Sequence, residues 1–177
     1  MGSEIDVAAE HLEQLVVEWG PEGAEDSEAK ALGRALRDSV PVIGGAGLTS
    51  PIAYRWKTQF NENAKIPAFT HELPELDHNE VVGWQGAPSF GRFAAVFLDD
   101  SDTHPRIKER IALTCEFIGE HATGTHVVQS RGDTAAQRVL SLVLLGDLVS
   151  LYVAVLRGVD PTPVDVLRTL KERLAAS

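Results

Sequence analysis

The stretch Val40-Pro-Val-Ile-Gly-Gly-Ala-Gly47 decides the fold class of this chain. It begins as a short apolar run and ends in a glycine-rich loop, which is typical of a buried parallel strand that enters a tight turn. A helical pattern follows from Ser50 to Ala64, with Pro51 in the first turn, where proline is well tolerated. This order of strand, glycine loop and helix predicts one unit of an α/β fold.

The same alternation continues towards the C-terminus. Short apolar runs predict further strands at 68–71, 94–98 and 125–129. Periodic apolar residues predict helices at 105–121, 132–157 and 163–175. Because strands that alternate with helices pair through right-handed crossovers, the chain is predicted to be an α/β protein. We expect a doubly wound parallel sheet of four to five strands, flanked by helices.

Two helices are predicted before the first strand. Apolar residues recur at helical spacing from Val7 to Trp19, and a second helical pattern runs from Glu28 to Arg37. We therefore expect residues 1–39 to form a helical segment that packs on a domain of residues 40–177.

Composition narrows the classes of function. The net charge of -10 argues against nucleic-acid binding, because phosphate contacts need a basic surface. The apolar run Val139–Leu156 is interrupted by Gly146 and Asp147, so we expect a buried helix and no contact with a membrane. Cys115 is the single cysteine, and Met1–Glu10 is acidic where a secretory signal would be positive. These features predict a cytoplasmic protein.

Ligands of doubly wound sheets bind beyond the carboxyl ends of the strands. The glycine loop is predicted to lie there, and Gly45, Gly47 and Thr49 are candidate substrate-binding residues because such loops can hold an anion. The run Asp99–Thr103 is also predicted there, but its three carboxylates would repel a phosphate. The stretch His71–Glu80 contains six groups that can bind protons or metal. Pro74 interrupts any regular element that could present them together, so no metal site is expected.

The helix after the glycine loop is unusually polar. Arg55, Gln59, Glu62 and Asn63 fall on roughly one side, and Arg55 is a further candidate for substrate binding. Spacing alone also fits a surface helix with a frayed, polar end. The residues by themselves leave these two interpretations open.

Three motifs give the chain a specific resemblance. They are Arg55-Trp-Lys-Thr-Gln59, Asn61-Glu-Asn-Ala-Lys65 and Pro74-Glu-Leu-Asp-His-Asn-Glu80, the last followed by Gly83-Trp84. Together they resemble the bifunctional phosphoglucose/phosphomannose isomerases, strongly over residues 40–84 and more weakly beyond. The resemblance implies the flavodoxin-like SIS (sugar isomerase) fold and the C-terminal SIS domain of that family. It also implies aldose–ketose isomerisation of glucose 6-phosphate or mannose 6-phosphate to fructose 6-phosphate through a cis-enediol, with no cofactor and no metal.

The resemblance implies roles for individual residues. Glu62 would be the base that moves a proton between C1 and C2, and His78 would assist ring opening in the active site of the partner subunit of a homodimer. Lys171 is the best match to a lysine that lies close to substrate. We further expect Trp56 and Phe60 to form an apolar wall beside Glu62.

In the resembling family the phosphate loops lie in an N-terminal SIS domain. We therefore expect the sugar phosphate to be held by such a domain, on the same or a companion polypeptide. A non-catalytic SIS module that binds a sugar phosphate or mediates dimerisation is the alternative. The sequence does not decide between glucose and mannose preference.

Overall fold

The computed structural model describes residues 2–176 and contains a four-stranded parallel sheet. The strands are β1 Val40–Gly45, β2 Phe69–Glu72, β3 Phe93–Asp99 and β4 Thr125–Gln129, in the spatial order β2–β1–β3–β4. The helices are α1 Gly2–Trp19, α2 Glu28–Leu36, α3 Ser50–Asn63, α4 Glu80–Gly83, α5 Ala87–Phe90, α6 Pro105–Gly119, α7 Ala135–Leu156 and α8 Asp165–Ala175. The predicted doubly wound α/β fold is confirmed, at the lower of the two expected strand numbers.

The two central strands carry the middle of the core. Ile43 of β1 lies directly opposite Val96 of β3, and both side chains are fully buried. Strands that are covered on both faces read as nearly continuous apolar runs. This is why the runs in β1 and β3 were recognisable from the sequence.

Helices α1, α2, α3 and α7 cover one face of the sheet. Helix α3 lies very close to α7: a Cβ atom at Gly146 would be 2.2 Å from Trp56 Nε1. The indole Nε1 donates a hydrogen bond to the Leu142 carbonyl at 2.8 Å, so the buried polar atom is satisfied. Gly146, one of the residues that interrupt the apolar run, therefore fixes how α3 packs.

By length and composition, α7 is the one helix among the described residues that could cross a membrane. Its Leu142, Leu145, Val149 and Val153 side chains are almost completely buried. The helix packs against α1, α2 and α3, which agrees with the expected buried helix.

The N-terminal helices share this core. Trp19 of α1 and Leu36 of α2 are almost completely buried with residues of α7. Arg131, in the loop after β4, joins both helices through ion pairs of 2.9 Å to Glu18 and to Glu28. Within the described residues, α1 and α2 thus pack against α7, and Met1 and Ser177 lie outside these residues. The division of the chain at residue 40 stays a prediction.

Helix α6 and several short helical turns cover the other face. Leu76 and Trp84, which lie between β2 and β3, pack with Phe97, Ile111 and Ile118. The short turns at 75–78, 84–86 and in α4 and α5 were not predicted, because none is long enough to show a helical period.

The direction of α3 separates two edges of the sheet. The helix begins just after β1 ends and runs back along the strands to Asn63, where the chain turns into β2. Its 14 residues span about 21 Å. We call the edge at Gly45 and Glu72 the carboxyl edge, and the edge at Val40 and Phe69 the amino edge.

Candidate active site

Glu62 lies at the amino edge, at the C-terminal end of α3. Both neighbouring asparagines are fixed by hydrogen bonds: Asn61 Nδ2 donates to the Ile66 carbonyl at 2.9 Å, and Asn63 Nδ2 donates to Ser150 Oγ at 2.8 Å. Ala64 is fully buried. The motif therefore locks every residue around Glu62 and leaves its side chain pointing away from the core.

The Glu62 carboxylate is exposed, and within residues 2–176 it has no hydrogen bond or ion pair. It opens onto a cavity of about 540 Å³ that is also lined by Thr58, Lys65 and residues 163–167. A carboxylate held on a rigid helix end, without a partner and beside a cavity, is free to act on a ligand.

The expected apolar wall beside Glu62 is absent. Trp56 and Phe60 are fully buried in the core, so they lie on the other side of α3 from the exposed Glu62. The reason is the helical period, because Glu62 is about 200° around the helix from Phe60. These two aromatic residues hold α3 against α7 and the sheet.

Arg55 lies on the exposed side of the same helix. Its guanidinium forms a 2.7 Å ion pair with Asp147 of α7, and its side chain remains 44% exposed. Arg55 is two helical turns before Glu62, so both face the same side of α3. The structure brings these two predicted residues to one surface.

Gly45, Gly47 and Thr49 lie at the carboxyl edge, so they are not near Glu62. The Thr49 hydroxyl accepts a hydrogen bond from the Ala46 N–H and donates one to the Leu98 carbonyl, both at 2.9 Å. A Cβ atom at Gly45 would be 2.7 Å from the Thr49 carbonyl oxygen, and Gly47 has a φ of +53°. These residues build the turn into α3, in which the Thr49 hydroxyl donates one hydrogen bond and accepts another. Substrate binding by Gly45, Gly47 and Thr49 stays a prediction.

An arginine binds the acidic loop after β3, and no sequence pattern predicted this contact. Arg138 of α7 forms a 2.9 Å ion pair with Asp100 and a second one with Asp102. Ser130 Oγ donates to Asp100 at 2.6 Å. Burial raises the pKa of the Asp100 carboxyl, but these bonds, the Asp102 N–H and the Arg138 charge outweigh it and lower the pKa below 3.8. Asp99 forms a 3.4 Å ion pair with Lys108, so each of the three carboxylates has a cationic partner outside the loop.

His78 ends the helical turn Glu75–His78, which follows β2, and its side chain is exposed. The preceding Asp77 anchors this turn to α6, through a 3.0 Å ion pair with Arg110 and a 2.8 Å hydrogen bond from Thr114 Oγ1. Glu62 and His78 therefore lie on opposite faces of the sheet, because α3 packs on the face of α7 and the turn of His78 packs on the face of α6.

The cluster His71–Glu80 contains one pair. His71 Nδ1 and Glu80 Oε1 are 2.9 Å apart, and they border an apolar cavity of about 360 Å³ with Phe69 and Trp84. Among the described residues, no group of three or more histidine, cysteine or acidic side chains could hold a metal ion.

Lys171 lies on α8, which is exposed along its whole described length. The start of α8 lines the cavity of Glu62 as far as Leu167, and Lys171 is just over one helical turn further on. Lys171 is thus on the same side of the molecule as Glu62.

Comparison with known proteins shows which proteins this chain is similar to. Residues 25–174 match the family described as "Bacterial phospho-glucose isomerase C-terminal SIS domain". The bifunctional phosphoglucose/phosphomannose isomerase of Caldicellulosiruptor bescii is 38% identical over 97% of this chain and 52% of its own length. The protein of the same name from Aquifex aeolicus is 33% identical over 97% of this chain and 52% of its own length. The chain spans about half the length of these relatives.

A solved structure shows the same fold. The glucose-6-phosphate isomerase-like protein from Thermus thermophilus superposes with a TM-score of 0.74 and 26% identity. The match covers 93% of this chain and 54% of that protein.

Proposed function

Because this chain belongs to the family of bacterial phosphoglucose isomerase C-terminal SIS domains, we propose that it supplies the proton-abstracting base to an aldose–ketose isomerase of hexose 6-phosphates. The observation that carries the proposal is the state of Glu62. Within residues 2–176, the Glu62 side chain is exposed and has no hydrogen bond or ion pair. The neighbouring Asn61 and Asn63 side chains are both held by hydrogen bonds.

The reaction requires one group to move a proton between adjacent carbons. The Glu62 carboxylate removes the proton at C2 of the open-chain aldose. The C2–H electron pair becomes the C1=C2 double bond of the cis-enediol, while the C1 carbonyl oxygen takes the π electron pair and a proton from solvent. The same carboxyl group returns the proton to C1, and the O2 hydroxyl releases its proton to solvent as it becomes the C2 carbonyl of the ketose. A carboxylate on a short side chain at a fixed helix end suits this transfer, because one group must reach both carbons without moving far.

Ring opening is assigned to His78. A histidine exchanges protons near neutral pH and can transfer one between the ring oxygen and the C1 hydroxyl. Since His78 and Glu62 lie on opposite faces of the sheet, we propose that the imidazole comes from a second copy. The proposed active unit is therefore at least a homodimer, as the resemblance implies.

The phosphate is proposed to be held by a second SIS domain. The relatives are about twice as long as this chain, and the matching family is that of a C-terminal domain. In this chain, the loop after β3 carries the Asp100–Arg138 ion pair where a phosphate loop would lie. Lys171, on the same side as Glu62, would stabilise negative charge on the enediol oxygens.

The substrates proposed are glucose 6-phosphate and mannose 6-phosphate, both converted to fructose 6-phosphate. The test is an isomerisation assay with the N-terminal half supplied in trans, comparing Glu62→Gln with the wild type. We expect turnover to fall about 10²–10⁴-fold, the range for loss of a general base. Glu116→Gln, an exposed glutamate on α6, should retain wild-type turnover.

If Glu62→Gln turns over as fast as the wild type, Glu62 is not the base. The chain would then be a module for sugar-phosphate binding or dimerisation.

A further inference from the structure

We propose that Lys65 is a positioning residue that holds the helix end of Glu62 and the opposite wall of its cavity in one arrangement. This inference rests on the proposed role of Glu62 as the base, and it adds a residue that acts through the backbone rather than on the substrate.

The backbone of Lys65 is in the left-handed region, with a φ of 55°. Among the described residues it is the one non-glycine residue with positive φ. Glycine is the residue that normally follows a helix end in this conformation, because a Cβ atom makes it unfavourable. Backbone preference therefore does not explain a lysine here, and the side chain must supply the reason.

The side chain joins two backbone carbonyls. Lys65 Nζ donates to the carbonyl oxygen of Glu62 at 2.6 Å and to that of Pro161 at 3.1 Å. The Glu62 carbonyl is among the last four of α3, which have no partner within the helix. A cation beside them is also favourable for the helix dipole. The ammonium group therefore fixes the peptide to which the proposed base is attached.

The second carbonyl belongs to the segment that forms the other wall of the cavity. Pro161 lies in the loop between α7 and α8, and residues 163–167 line the same cavity as Glu62. Through these two bonds Lys65 sets the distance between the base and this wall. The Lys65 charge also favours ionised Asp160, whose pKa is lowered mainly by hydrogen bonds from the Thr162 N–H and hydroxyl.

Three substitutions separate the side-chain bonds from the backbone conformation. Lys65→Met keeps the left-handed backbone cost and loses both hydrogen bonds. Lys65→Gly loses the same bonds but relieves that cost, so its melting temperature should exceed that of Lys65→Met by about 1–4 °C. Lys65→Arg keeps a cation that can reach the carbonyls.

The readout is kcat, measured with the N-terminal half supplied. We expect both Lys65→Met and Lys65→Gly to lose about tenfold to a hundredfold in kcat, because misplacement of a reacting group by about 1 Å costs this much. Lys65→Arg should recover most of the loss. Activity and stability then move independently in Lys65→Gly, which a purely structural role would not produce.

A second readout does not need turnover. Amide hydrogen exchange at residues 159–167 should be faster in Lys65→Met and Lys65→Gly, because the loop loses its tie to α3. Lys57→Met removes a lysine from the same helix without touching this loop, and exchange at 159–167 should stay at the wild-type rate.

A wild-type kcat in Lys65→Met or Lys65→Gly would overturn the inference. If such a variant had an unchanged kcat but a raised KM, the result would mean that Lys65 contacts the substrate. The two proposals fail separately. Full activity of Glu62→Gln removes the proposed function, whereas an inactive Glu62→Gln beside a fully active Lys65→Met removes only the role of Lys65.

Discussion

Asn63 and Ser150 join the helix end that carries the candidate base to the core helix. Asn63 Nδ2 donates to Ser150 Oγ at 2.8 Å, and Ser150 is completely buried. Asn63 also donates to Gln59 Oε1 at 3.2 Å, one turn earlier on α3. The residue after Glu62 is therefore held by both helices, so the direction of the Glu62 side chain depends on how α3 packs against α7.

Replacing Asn63 with alanine should destabilise the protein. Loss of a part-buried hydrogen bond costs about 0.5–1.5 kcal/mol in the free energy of unfolding. Combined with Ser150→Ala in a double-mutant cycle, measured by urea unfolding, the two changes should be non-additive because the side chains share one bond. Gln85→Ala, at an exposed site, should change stability by less than about 0.5 kcal/mol. Additive effects of Asn63→Ala and Ser150→Ala would contradict the coupling.

The sequence could predict part of this arrangement. The helical period places Gln59 and Asn63 on one side of α3, and their side chains do meet. Ser150 lies 87 residues away, and no periodicity links it to Asn63. Ser150 comes close to Asn63 because Gly146 allows α3 and α7 to approach closely. This approach depends on how the two helices pack, so the local sequence does not predict it.

Mixing two inactive variants should restore activity. We expect Glu62→Gln and His78→Ala to be strongly impaired separately. In an equal mixture of dimers, random exchange gives about a quarter of wild-type activity, because half the dimers are mixed and each has one intact shared site. The measurement is turnover after subunit exchange, with the N-terminal half present. No recovery after verified exchange would show that one copy supplies both groups.

Asp100 should make stability depend on pH at the acid end. Its pKa is lowered in the folded protein, so its contribution is fully present above the unfolded value near 3.8 and is lost as the pH falls through the lower folded value. Asp100→Asn should cost about 3 kcal/mol at neutral pH, because it leaves Arg138 buried without its main partner. The cost should shrink below about pH 4, as measured by urea unfolding at several pH values.

Asp102→Asn is the matched control for this ion pair. Asp102 contacts the same arginine, but its side chain is 75% exposed. Its loss should cost less than about 1 kcal/mol. Equal costs for Asp100→Asn and Asp102→Asn would contradict the assignment of Asp100 as the buried partner.

The separation of the predicted site into two edges has a physical origin. The residue types and the strand–helix order are local properties, and both the fold and the motifs could be predicted from them. Glu62 ends a helix that runs against the strands, whereas Thr49 begins it, so the full length of α3 lies between them. Ligand-binding residues were expected at the carboxyl edge alone. The length of the predicted helix after the glycine loop already implied that Glu62 lies far from that edge.

Helix α8 should be a docking surface for the N-terminal half. Val166, Leu167 and Leu170 form an apolar side of α8 and are 77%, 45% and 54% exposed. A helix of 11 residues is marginal in water without packing, and this one lies beside the cavity of Glu62. Leu170→Asp should leave the melting temperature of the chain unchanged, because the side chain is exposed in it.

The same substitution should weaken binding of the N-terminal half about tenfold to a hundredfold, the effect of losing one buried leucine side chain. Phe117→Asp is the control, because Phe117 is 63% exposed on α6, on the other face of the sheet. Titration calorimetry with the separately purified half measures both affinities. If Leu170→Asp binds the N-terminal half with wild-type affinity, or if Phe117→Asp loses more affinity, the N-terminal half binds to a different surface. The proposal that Lys171 lies close to the substrate would then lose its support.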